Sequence, residues 1–257
     1  MPSFTDQCLT PSPKRNEYFI LDPEFPKRLT ASGYPSTLEF IQHMFEEYAQ
    51  AGLTKRSDKE AAISGLLQRM QNIMDPKGVH GIFHCFLSRL LLWRVSDTTD
   101  NTIACPGDTE HQLPSWSWMS HDHIQFFPEE DIQVPVGINK INSEGKLHVR
   151  IFELGDYNME EQGERSVLSR DNAKKIGKFW FDTHEQTQIQ NCVVVGKCTE
   201  RRSFWKSDEV MWYILLVTEE QVTEEQVTEE REKRYKRVGV GKIKPDYISD
   251  ASFGVLV

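Results

Sequence analysis

The hydrophobic period of this chain changes once along its length, and that change limits the folds open to it. Leu38, Ile41, Phe45 and Tyr48 recur at three- and four-residue steps, directly after Ser36-Thr37-Leu38-Glu39, which has capping-box spacing. Ser57-Asp58-Lys59-Glu60 repeats that start signal ahead of Ala62, Ile63, Leu66, Leu67 and Met70, and Asp75-Pro76-Lys77-Gly78 closes the run. A third stripe, Phe83, Phe86, Leu87, Leu90 and Leu91 with Trp93 near its end, predicts a third amphipathic helix with Cys85 in its core. Further on the period is two. Leu147, Val149 and Ile151 alternate with His148, Arg150 and Phe152, as on a strand with one buried face.

Cys192-Val193-Val194-Val195-Gly196 and Met211-Trp212-Tyr213-Ile214-Leu215-Leu216-Val217 read as further strands. Tyr235 to Ile243 sets Val238 and Val240 beside Gly239 and Gly241, the pattern of a bulged strand or one with a close neighbour. Helices between these strands, which parallel pairing would demand, are missing from the pattern. The expected fold class is α+β, with three amphipathic helices packed against a mostly antiparallel β-sheet. The expected division is a flexible N-terminal segment (1–35), a helical region (36–95), a linker or brace containing Pro-Ser-Trp-Ser-Trp (96–125) and a β-rich region (126–257). Within the last, the period-five stretch VTEEQVTEEQVTEE at 217–230 fits neither a strand nor one helix face. It reads as an acidic loop.

A formal charge of -9 argues against a general affinity for nucleic acid or an anionic membrane. The basic run Lys233-Arg234-Tyr235-Lys236-Arg237 follows acidic residues that neutralise it. Cysteines at 8, 85, 105, 192 and 198 form neither a zinc signature nor a disulfide framework, which points to a reducing compartment. With no apolar leader or membrane-length run, the expectation is a soluble cytoplasmic protein.

His111, His121 and His123, with Asp108, Glu110 and Asp122 among them, are the candidate metal ligands, of types that suit zinc or iron. The same pattern suits an ordinary polar turn, and no metal or other cofactor is expected. Ser64-Gly65 and Ser120-His121-Asp122 lack the Gly-x-Ser-x-Gly elbow, so a hydrolase triad is not indicated. In Leu113-Pro114-Ser115-Trp116-Ser117-Trp118-Met119-Ser120, an extended backbone would set Trp116 and Trp118 on one face. There the two indoles brace the helical half against the β half, or else they offer a stacking platform to a ligand.

The order of Leu53-Thr54, Asp58-Lys59, Ala62-Ile63-Ser64-Gly65-Leu66, Leu91-Leu92-Trp93 and the Pro114–Ser120 segment resembles fungal heterokaryon-incompatibility (HET-domain) proteins. In that family an LT-x-x-x-DK-x-x-A-[LI]-SG-L segment and an APSWSWAS segment follow the HET domain. The resemblance spans residues 50 to 120, and more loosely 190 to 243. Where the family carries YLAGLW, this chain has Val79-His80-Gly81-Ile82-Phe83-His84-Cys85-Phe86, and only about 35 residues precede the first helix, too few for a HET domain. The resemblance implies a non-enzymatic regulatory or protein-interaction region, a truncated relative in self/non-self recognition and cell death. Its partners would be other HET-domain or cell-death signalling proteins. The alternative is a small-molecule-binding or metal-assisted hydrolytic domain with a pocket near Trp116, Trp118 and His121.

Overall fold

The computed structural model describes residues 24–51, 58–74, 78–96, 113–128, 132, 138–142, 146–160, 165–171, 173–183, 189–200, 209–220 and 232–257. Residues 1–23 of the flexible segment expected at 1–35, residues 97–112 of the linker with His111, and 221–230 of the acidic repeat lie outside the described residues, while residues 27–31 of that expected flexible segment form a helix with Leu29 buried.

Helix α1 (Lys27–Ala31) leads into α2 (Tyr34–Gln50), and α3 (Asp58–Met74) follows. The second helix starts ahead of Ser36. Gly33, at φ +90°, supplies the cap position, and Pro35 occupies the first turn, where its missing N–H costs nothing. Thr37, predicted to lie inside a capping box, instead donates its hydroxyl to the Gly33 and Leu29 carbonyls, each at 2.9 Å. Leu38, Ile41, Phe45 and Ala49 form the buried stripe of α2, and Ile63, Leu67 and Met70 that of α3. Asp58 and Glu60 sit in the first turn of α3, where the exposed N–H groups favour negative charge.

The third helical stripe does not become a long helix. A 3-10 turn (His84–Phe86) and one turn of helix α4 (Leu87–Leu90) are followed at once by strand β1 (Trp93–Val95). Leu90, Leu91, Leu92 and Trp93 are all fully buried. Four consecutive buried side chains require enclosure on every side, which an amphipathic helix with one wet face does not provide. Cys85, expected in the core of that helix, is exposed.

Strand β2 (Ile124–Phe126) pairs antiparallel with β1 as a separate two-stranded ribbon. Among the described residues the main sheet holds nine strands: β3 (Ile138–Ile141), β4 (Leu147–Leu154), β5 (Tyr157–Met159), β6 (Ser166–Ser169), β7 (Lys175–Phe181), β8 (Asn191–Glu200), β9 (Glu209–Glu219), β10 (Arg234–Ile243) and β11 (Ile248–Leu256). They run in the order β11-β4-β8-β9-β10-β7-β6-β5, with β3 beside β4. All neighbours are antiparallel except one pair: Arg234 and Tyr235 of β10 also meet Val255 and Leu256 of β11 in parallel. That contact closes β11, β4, β8, β9 and β10 into a ring, so β11 has no free edge there.

Strand β10 has both features its glycines suggest. Its register against β9 slips between Arg237 and Gly239, a bulge at Val238. A Cβ on Gly239 would lie 2.5 Å from the Trp180 carbonyl oxygen, so the backbone of β7 is the close neighbour. Side chains alternate between two cores. Val193, Val195, Tyr213, Leu215 and Val240 join the helices in one cluster, while Val194, Ile214, Leu216 and Phe179 build a second on the opposite face. The helices and the β1–β2 ribbon pack on the first face, and they leave its end beside β7 and β10 uncovered enough to form a groove.

Candidate functional site

The tryptophan segment is not extended. Ser117 donates its backbone N–H to the Pro114 carbonyl at 2.9 Å, and Trp118 to Ser120 form a 3-10 turn capped by the Ser117 hydroxyl. The two indoles therefore reach different halves of the molecule. Trp116 donates its ring N–H to the Leu256 carbonyl of β11 at 3.3 Å, and Trp118 to the Gly81 carbonyl at 3.1 Å. The serines divide in the same way. Ser115 accepts the backbone N–H of Arg237 at 2.9 Å and donates to the Val257 carbonyl, while Ser117 donates to the His80 carbonyl at 2.9 Å. Trp118 is stacked on Phe45 of α2 with ring centroids 4.2 Å apart. Trp93, Trp116 and Trp118 are each 0% exposed, so protein atoms already occupy the ring faces that a stacked ligand would need.

Behind Trp93 lies a buried ion pair. Arg237 donates to both carboxylate oxygens of Asp182, at 3.1 and 3.2 Å, and to the Leu91 and Trp93 carbonyls at 3.0 and 2.6 Å. Burial pushes the Arg237 guanidinium below its ordinary pKa, and the Asp182 carboxylate opposes that shift. All these partners are protein groups, which makes Arg237 a structural junction between β10, β7 and the β1 segment.

Of the candidate metal ligands, His121, Asp122 and His123 are among the described residues, while Asp108, Glu110 and His111 lie outside them. The His121 ring lies 5.2 Å from that of Trp93, with Nδ1 2.9 Å from the Ser120 hydroxyl. His123 adopts φ +52° in the turn before β2. Asp122 pairs with the buried Lys59 amine at 3.0 Å, which also donates to the His121 carbonyl at 2.5 Å. Among the described residues no group of three or more His, Cys, Asp or Glu side chains is placed to hold a metal ion.

Among the described residues, a groove of about 440 Å³ opens between the β1–β2 ribbon and the ends of β7, β9 and β10. Five cationic side chains of the described residues line it, Arg94, Lys175, Lys178, Lys242 and Lys244, with one carboxylate, Glu209. Strand register gathers them: Lys178 of β7 stands directly opposite Lys242 of β10, so both project from one face. Aromatic rings hold several of the charges in place. Lys178 sits 4.8 Å from the Trp180 ring centroid and Lys242 5.1 Å from that of Tyr213. The Arg94 guanidinium lies 5.7 Å from the Trp180 centroid and 5.9 Å from that of Phe127, and donates to Gln125 Oε1 at 2.8 Å. Cation–π contact with these rings fixes where the charged ends sit on the groove wall. Lys244 is paired with Glu209.

Sequence reasoning passed over this groove. The net negative charge masked it, and its lysines belong to strands more than sixty residues apart in the chain. The one local signal is Lys242 and Lys244 at period two, which places both on one face of an extended chain.

No protein-family model, curated protein or solved structure matches this chain. Among the described residues no helix is long and apolar enough to cross a membrane.

Proposed function

We propose that this chain is a non-enzymatic recognition region that holds an anionic partner in the groove between β7, β10 and the β1–β2 ribbon. One observation carries the reading: five cationic side chains surround a hollow of about 440 Å³ in a chain whose formal charge is -9. Concentrating cations against the overall charge raises local anion affinity while keeping indiscriminate binding to polyanions low. The motif order from Leu53 to Ser120 adds a setting. It supports a place for the chain beside HET-domain or other cell-death signalling proteins, as a regulatory region rather than a catalyst.

The test is titration of the full chain with two anionic probes, inorganic tripolyphosphate and a hexaglutamate peptide, at low and at high salt. Binding of at least one is expected. It should weaken steeply with salt and be lost in the double variant Lys178→Gln, Lys242→Gln. If neither probe binds at low salt, the groove is not an anion site and the proposal fails.

A further inference from the structure

We infer that the groove takes a small carboxylic acid with an apolar body, its carboxylate held by Arg94, a deepening that rests on the anion-binding reading above. Arg94 of β1 stands directly opposite Gln125 of β2, so both side chains leave the same face of the ribbon. That register explains the bond from the Arg94 guanidinium to Gln125 Oε1 at 2.8 Å. Its other contacts are the rings of Phe127 and Trp180, with centroids 5.9 and 5.7 Å away. Among the described residues, then, every partner of this half-buried cation is neutral, whereas Lys244 meets the Glu209 carboxylate.

A guanidinium is a planar fork of N–H donors that matches the two oxygens of a carboxylate, and such charged pairs are stronger than neutral hydrogen bonds. Gln125 uses part of the fork and the rings restrain its plane, so little side-chain freedom remains to be lost on binding. A partly buried cation with neutral partners also carries a desolvation cost, which an incoming anion offsets. Beside it the groove is apolar: Phe126, Phe127, Ile176 and Met211 line it and are themselves buried. The Trp180 ring already meets Lys178, Arg94 and Phe127, so the body of the ligand lies on those apolar side chains and does not stack on the indole. Small-ligand pockets span roughly 300–1,000 Å³, and the groove at about 440 Å³ is of that class. A polyphosphate would bring charge and nothing to cover the apolar wall.

The experiment is isothermal titration of the full chain with octanoate, its neutral amide octanamide, and acetate, run beside the tripolyphosphate and hexaglutamate titrations above. Octanoate is expected to bind, with octanamide and acetate each about tenfold weaker or more, the scale of one charge-assisted hydrogen bond or a few buried methylenes. Arg94→Gln, confirmed as folded by circular dichroism, should weaken octanoate by that factor and leave octanamide unchanged. Octanamide binding as tightly as octanoate would overturn the carboxylate assignment, and acetate doing so would overturn the apolar body. Octanoate binding unchanged in Arg94→Gln would place the acid outside this groove and sink the inference. Hexaglutamate or tripolyphosphate binding without octanoate would overturn it while leaving an anion site. Silence from octanoate and from both polyanions at low salt would remove this inference and the reading beneath it.

Discussion

The Arg237 guanidinium lies 3.2 Å from the centre of the Trp93 ring and is paired at the same time with Asp182 at the end of β7. Cation, indole and carboxylate are all buried, so each fulfils a demand the others create. The arginine needs a counter-charge out of water, the aspartate needs donors, and the indole face needs cover. The Trp93 indole N–H in turn donates to the Trp116 carbonyl at 3.2 Å, which links this junction to the tryptophan segment.

Removing one partner of this pair should be costly. Asp182→Ala would leave a buried guanidinium uncompensated, and chemical denaturation should show a loss of about 3–5 kcal/mol. Replacing both, as Asp182→Leu with Arg237→Met, should cost less than Asp182→Ala alone. A double variant weaker than the single one would mean the carbonyl contacts of Arg237, not its charge pairing, hold the junction.

Two glycines should respond in opposite directions to alanine. Gly81 has φ +74°, and a Cβ there would fall 2.4 Å from the indole nitrogen of Trp118. Gly81→Ala should therefore destabilise by more than about 1 kcal/mol, from backbone strain and displacement of the indole together. Gly65 lies within α3 with nothing near its Cβ position, and Gly65→Ala should stabilise by about 0.5–1 kcal/mol. Thermal melts of the two variants beside the parent chain decide both.

The two tryptophans of the segment should be worth similar amounts for different reasons. Trp116→Ala and Trp118→Ala each empty a fully buried site, at about 3–5 kcal/mol. Trp116→Ala should loosen the β10–β11 end first, because its N–H and neighbouring Ser115 hold Leu256, Val257 and Arg237. Trp118→Ala should loosen the α2 side, where Phe45 stacks. Amide hydrogen exchange reads the difference; equal loss of protection on both sides in both variants would refute the division of roles.

Glu46 supplies a pH dependence. Burial raises its carboxyl above the ordinary value of 4.5, against the backbone N–H of Phe126, which donates to it at 2.6 Å and lowers it. A carboxyl whose pKa is higher in the folded state binds its proton more tightly there. Its stabilising contribution is thus complete below the unfolded value and is lost as pH rises through the folded one. Glu46→Gln keeps an acceptor for Phe126 and removes the ionisation. Stability measured by urea denaturation upward from pH 4.5 should fall less steeply in the variant than in the parent. Identical slopes would show that Glu46 does not carry the effect.

The groove reading carries a stability control as well. Lys178 and Lys242 are half-buried and each lies on an aromatic ring, so each glutamine variant should cost about 0.5–1 kcal/mol. Loss of anion binding in a variant that still melts cooperatively above the assay temperature then reports the site itself.

Period alone was enough to place α2 and α3 and the strands β4, β8, β9 and β10, because each of those patterns is decided within a dozen residues of chain. It failed at Leu90 to Trp93, where burial on all sides imitates a helical stripe, and at β5, β6 and β7, whose short or mixed runs carry no clean alternation. The bulge in β10 was legible because Gly239 and Gly241 have no other local use. The pairing of Lys178 with Lys242, the return of β11 onto β10 and the splitting of Trp116 from Trp118 were decided only in three dimensions. The physical reason is that a period of two tells which face of a strand a side chain takes, while its neighbour across the strand depends on register, which is set by contacts between distant parts of the chain. An acidic chain can for that reason assemble a basic groove that no local stretch of it announces.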